Sequence, residues 1–300
     1  MARSVIALAV FLLVVLNRSV ACDACGCSVN GAGIGLTAVY RQNYVGIQYQ
    51  YAPFRSTLEH AHGAIDYFHS FELTARLRVL RRINLQLQQP YRINIRRHPD
   101  GDADRSGLGD TRFIAHYVLF DQRQLGGGFR LYFEAGIGVK APVGHFDPTI
   151  QDDHNLPENF NPGNGSWAGL LQSNLVLGRN KAGLALSGNY QLNGASTSGY
   201  RFGNQWSGQA LVFNQFMPGS VFSFTPFCGV AAEGVGQDVQ SDGRYAASTG
   251  GNGWFLAAGL NLKIHSWLLG TTYSRPFSQH YSNAEVKAGA RYSINVLYFF

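Results

Sequence analysis

AEVKAGARYSINVLYFF, residues Ala284 to Phe300, changes character at every second position. Its even positions are Ala284, Val286, Ala288, Ala290, Tyr292, Ile294, Val296, Tyr298 and Phe300. Its odd positions begin Glu285, Lys287, Gly289, Arg291, Ser293 and Asn295. Successive side chains of a strand leave opposite faces, so one face of this segment suits lipid and the other suits water. A helix would need apolar residues at spacings of three and four, which are missing.

The same alternation recurs upstream. In FRLYFEAGIGVKA (129–141), Phe129, Leu131, Phe133, Ala135, Ile137 and Val139 oppose Arg130, Tyr132, Glu134 and Lys140. In GWFLAAGLNLKIH (253–265), Trp254, Leu256, Ala258, Leu260, Leu262 and Ile264 oppose Asn261, Lys263 and His265. Twelve such segments are expected, near 42–53, 66–80, 83–97, 108–121, 128–142, 166–178, 182–193, 200–216, 220–235, 253–265, 266–276 and 284–300. Their connections alternate between short turns and long loops. The expected fold is all-β: a closed antiparallel transmembrane β-barrel of about 12 strands, with short turns in the periplasm. A soluble β-sandwich would have strands of roughly 5–6 residues, and these segments are much longer.

Composition agrees. Gly (36 residues) and aromatics (13%) are frequent, and charged residues make up only 14% of the chain. The only long apolar run, VIALAVFLLVVL (Val5–Leu16), follows Arg3 and precedes Ser19-Val20-Ala21, which reads as a signal peptide over 1–21. Without Arg3 and Arg18 the net charge falls from +6 to about +4, which gives no case for a nucleic-acid partner. The expected domains are the signal peptide (1–21), a periplasmic Cys-rich segment (22–41) and a barrel (42–300). An even strand count places both ends of the barrel in the periplasm. The terminal Tyr298-Phe299-Phe300 resembles the C-terminal signature of bacterial outer-membrane proteins. That resemblance implies barrel-assembly machinery as a partner, with outer-membrane lipid around the barrel.

SGLGDTRFIAHYVLF (106–120) and FEAGIGVKAPVGHFD (133–147) place a Gly-Leu-Gly-Asp at the head of one strand and Lys-x-Pro-x-Gly at the end of the next. This pair resembles the outer-membrane transporters of the phenol-degradation meta-pathway family. It departs at Val143, where that family often has Thr. The cysteine-rich start followed by YRQNYVGIQYQYAPF (40–54) resembles Bacteroidetes-type relatives. The resemblance implies a barrel that passes small molecules and does not single out phenols.

With the apolar face outward, the interior receives Glu72, Arg76, Arg78, Gln86, Gln88, Arg92, Asn94, Arg96, Asp110, Arg112, His116, Arg130, Glu134, Lys140, Lys263, Glu285, Lys287 and Arg291. Two readings stand side by side. Arg on adjacent strands could steer an anionic solute, because guanidinium binds carboxylate and phosphate bidentately. Alternatively, Glu72, Asp110, Glu134 and Glu285 pair with those Arg residues and simply fill the lumen.

Catalysis is not expected. A lipid-facing phospholipase needs Ser and His together, but the outward candidates, His69 and Ser173, fall on the second and sixth segments. GxSxG and HExxH motifs are absent. DGDAD (100–104) opens like a calcium loop but lacks its Gly and bidentate Glu, and EHAHG (59–63) offers only two ligands.

Cys22, Cys25 and Cys27 would form a tail under the pore mouth. A Cys22–Cys25 or Cys22–Cys27 disulfide and lipidation of Cys22 remain open, although Ser19 replaces the usual lipobox Leu. The spacing itself favours a soft metal, Cu(I) or Zn, held by three thiolates. The functional expectation is passage of a small, anionic or metal-associated solute, with a closed structural or assembly-partner barrel as the alternative.

Overall fold

The computed structural model describes residues 42–58, 61–99, 101–151, 156–218 and 221–300. The expected signal peptide and the Cys22/Cys25/Cys27 tail lie outside the described residues. Fourteen strands form one antiparallel sheet. They are β1 (Tyr44–Ser56), β2 (Ile65–Leu80), β3 (Ile83–Arg97), β4 (Ala103–Leu108), β5 (Thr111–Gln124), β6 (Phe129–Ala141) and β7 (Ala168–Arg179), followed by β8 (Ala182–Asn193), β9 (Gln205–Asn214), β10 (Phe222–Val235), β11 (Gly251–Ile264), β12 (Trp267–Tyr281), β13 (Val286–Ala288) and β14 (Arg291–Phe299).

Apart from β4/β5 and β13/β14, each neighbour in sequence is a neighbour in the sheet, and β14 pairs with both β12 and β1, which closes the ring. β4 and β5 run successively along β3, and β13 and β14 run successively along β1, so each pair counts as one broken staves of the barrel. The result is a closed 12-strand barrel, as the alternation implies. Closure pairs every strand except the short β4 on both sides, as a lipid environment requires of spanning strands. Several boundaries differ from expectation: β12 runs to Tyr281, into the segment expected as loop at 277–283. Residues 200–204 precede β9 as loop, and the segment expected as loop at 98–107 is partly strand β4.

The breaks have local causes. The break between β4 and β5 lies opposite Pro90 of β3, which has no N–H to donate across to them. Gly109 N–H donates to Pro90 O instead (2.8 Å), and the Gln89 side chain donates to Gly109 O (2.9 Å). At the other break, Phe54 faces Ala288 but Tyr51 faces Tyr292, so β1 advances three residues while its partner advances four. This bulge at Gly289-Ala290 reverses the parity of everything before it. Val286 and Ala288 therefore turn inward and are buried, while Lys287 is exposed. The uninterrupted alternation expected over 284–300 holds only from Arg291 onward.

The outer wall is apolar, with Val45, Ile47, Leu269, Ile294 and Val296 exposed on adjoining strands. Trp267 and Tyr298 pack near the short turns, and Tyr51, Tyr67, Tyr273 and Tyr292 pack farther up. These are two interfacial aromatic groups of the kind that flank a bilayer.

Candidate functional site

The lumen is the site. Its upper end is filled by the described parts, 142–151 and 156–167, of the loop joining β6 to β7. Ile150, Leu156 and Phe160 from this loop are buried against Phe54, Phe68, Phe255 and Tyr281 of the barrel wall. Phe160 meets Phe68 edge-on at 5.4 Å and lies under the Arg96 guanidinium at 5.0 Å. Asn94 Nδ2 donates to Phe160 O (2.8 Å). Nothing in the expected polar interior anticipates this apolar plug.

The loop's two ends are tied together at Asp110. The break between β4 and β5 turns its carboxylate inward, where it accepts from Gly144 N (3.2 Å), Asn164 N (2.9 Å) and Lys140 Nζ (2.9 Å). Gly144 and Gly163 close around it: a Cβ on Gly144 would lie 2.7 Å from Gly109 C, and one on Gly163 would lie 2.8 Å from Asp110 Oδ1. The Gly-Leu-Gly-Asp and Lys-x-Pro-x-Gly segments thus form one tether.

Below the plug, the inward cations are matched by carboxylates. Arg76 pairs with Glu134 (2.5 Å), which also accepts from Tyr132 OH (2.6 Å) and Asn174 Nδ2 (3.0 Å). His116 lies 3.6 Å from the same carboxylate. Arg112 reaches Glu72 (3.4 Å), which also accepts from Gln88 Nε2 (2.7 Å). Arg96 grips Asp66 through two bonds of 2.7 Å. Arg291 grips Glu233 in the same way, between the rings of Phe255 (4.2 Å) and Phe54 (5.4 Å). Tyr281 OH donates to Glu233 as well (2.5 Å). A continuous basic track along these positions is therefore replaced by neutral pairs.

Asp66 and Glu233 are the acids missed by the sequence reading, and parity could have found them. Asp66 shares the inward register of Glu72 and Arg76, and Glu233 lies on the face opposite outward Cys228.

The remaining inward residues divide. Arg92 and Arg78 are half-buried on the lumen side, with Arg78 Nε donating to Asn84 Oδ1 (3.4 Å). Lys263 stands over Phe299 (4.8 Å) and donates to Gln42 (3.2 Å). Arg130 keeps the lumen parity but is exposed near the turn end of β6, so it belongs to the mouth. Two expectations are corrected. The bulge turns Lys287 outward, and Glu285 sits in the turn before β13, where its carbonyl caps Thr57.

Parts of the wall carry buried amides without a protein partner. Gln48, Asn261 and Asn295 are buried on β1, β11 and β14, and neither polar atom of any of them has a protein partner. Buried amides of this kind are satisfied by ordered water. Two small cavities of about 20 Å³ each meet at Asn189, Ser207 and Glu233. Each has room for about one water molecule.

Among the described residues, no group of three His, Cys, Asp or Glu side chains could hold a metal. Asp102 of the DGDAD segment pairs with Arg97. His69 is on the outer wall, bonded to Tyr49 OH (2.9 Å), and β2 is separated from Ser173 on β7 by β3, β5 and β6.

Closure, an apolar exterior and a polar, plugged interior define an outer-membrane β-barrel. Among solved structures, an outer-membrane channel of Pseudomonas putida F1 is similar at 16% identity and a TM-score of 0.62, over 86% of this chain and 96% of that one. The β-domain of the Bordetella autotransporter Brka is similar at 11% identity and a TM-score of 0.51, over 86% of this chain and 100% of that one. These likenesses concern the fold. No protein-family model matches the chain, and no curated protein matches it.

Proposed function

We propose that the barrel is an outer-membrane channel for a small solute, held shut by the loop 142–167. The observation that carries this reading is the tether: the plug packs its apolar side chains in the lumen and is fastened to the wall by hydrogen bonds at Asp110 and Asn94. A tethered plug can leave without disturbing the strand pairing. The channel character of the Pseudomonas structure and the resemblance to the phenol-degradation meta-pathway family support the same reading. Catalysis has no part in it.

A closed structural or assembly-partner barrel is the second reading, and the burial of Ile150, Leu156 and Phe160 in the upper lumen favours it. Planar-bilayer conductance decides. Pure refolded wild type should show rare, small openings, and an Asp110→Asn/Phe160→Ala variant should open more often and wider. Silence from both, with heat-modifiable gel migration showing folded barrels, would establish the closed reading.

The cysteine tail joins the proposal as a soft-metal ligand set for Cu(I) or Zn, based on its spacing alone. Metal content should fall in a Cys22/Cys25/Cys27→Ser variant, and equal content would remove the idea.

A further inference from the structure

The bulge that turns Lys287 outward also creates a charge arrangement on the outer wall. Lys287 is the direct cross-strand partner of Arg55, and both are exposed. On the next strand, Tyr281 pairs with Val286, which brings exposed His280 beside Lys287. Arg275, also exposed, lies opposite outward-facing Leu256 on β11. None of these four side chains makes an ion pair or hydrogen bond with another described residue. Like charges directly opposite on neighbouring strands repel, so Arg55 and Lys287 carry an unfavourable contact that no acid among the described residues relieves.

Their height gives the reason. Arg55 lies four residues above Tyr51 on β1, and Arg275 lies two above Tyr273 on β12. Tyr51, Tyr292 and Tyr273 pack side by side, with ring centroids 6.3 and 5.1 Å apart. Aromatic rings of this sort mark the headgroup level, and the cations stand just above it, on the loop side of the barrel. Below the rings the same strands present Ile47, Ile294, Val296 and Leu269. One molecule that satisfies both levels has an anionic phosphate head and acyl chains.

We propose that Arg55, Arg275, His280 and Lys287 form a binding site on the outer wall for the phosphate groups of an outer-leaflet phosphoglycolipid. The apolar strip beneath takes its chains. The site does not depend on whether the barrel conducts.

The test uses the full chain refolded into vesicles of phosphatidylcholine alone and of phosphatidylcholine containing lipid A. The readout is the temperature at which heat-modifiable gel migration is lost. Wild type should gain several degrees from lipid A. Arg55→Gln/Lys287→Gln should fold normally in phosphatidylcholine and lose that gain. Lipid A retained through detergent purification should drop about tenfold or more in the same variant, from the loss of two surface charges. Equal gain in wild type and variant, or no gain in wild type, would overturn the site. Inorganic phosphate reproducing the gain in phosphatidylcholine vesicles would overturn the lipid assignment and leave a free-anion site. If the double variant fails to fold, Arg275→Gln supplies the comparison, with a partial loss expected and an unchanged gain counting against the proposal.

Discussion

Glu233 shows how much a single lumen residue carries. Its carboxylate takes two bonds from Arg291 and one from Tyr281, in a pocket walled by Phe54 and Phe255. Glu233→Gln would leave the guanidinium buried between two rings with no counter-charge. Removing one partner of a buried pair costs about 3–5 kcal/mol, whereas replacing both with apolar groups is often close to neutral. A Glu233→Gln/Arg291→Met protein should therefore be more stable than Glu233→Gln alone, a reversal of simple additivity. Urea titrations of folded barrels in detergent would measure it. A double variant weaker than either single one would show that the pair has net stabilising value of its own.

At the scale of elements, the bulge at Gly289-Ala290 decides which way the three residues of β13 face. Deleting Gly289 restores unbroken alternation along β13 and β14. Lys287 would then enter the lumen while Val286 and Ala288 leave the apolar plug, where both are buried. The deletion should lower stability by about 2–4 kcal/mol, the scale of losing one or two core side chains. It should also abolish the response to lipid A. Stability unchanged by the deletion would mean that the bulge is not what sets the parity of β13.

The same bulge marks the limit of what the sequence discloses. Alternation with period two made the twelve spans legible, because each runs long enough for lipid on one side and water on the other to separate the residue types. A one-residue insertion has almost no compositional signature, so the parity of Lys287 was beyond reach. Glu233 and Asp66 were legible in principle from their register. The plug was not: Ile150, Leu156 and Phe160 fall in a loop without periodicity, and no local pattern distinguishes a loop folded into a lumen from one in solvent. The Asp110–Gly144–Gly163 tether emerges only when residues some fifty positions apart meet.

Taken as a whole, the described residues put three lumen-side cations without an acidic partner, Arg78, Arg130 and Lys263, at one end of the barrel. Arg76, Arg96, Arg112, Lys140 and Arg291 are neutralised within the barrel. Arg130 is exposed at the short-turn mouth, and Lys263 and Arg78 stand near it. Charges at a wet mouth act through solvent, where the Debye length shrinks from about 30 Å at 0.01 M salt to about 3 Å at 1 M. Buried charges along a narrow lumen are screened much less. Reversal potentials of the Asp110→Asn/Phe160→Ala variant across KCl gradients separate the two. If the interior is neutral, a modest anion preference at low salt should fade almost completely at high salt. Anion selectivity that persists in concentrated KCl would mean that a cation deep in the lumen acts without its carboxylate, and the basic track would return as the selectivity filter.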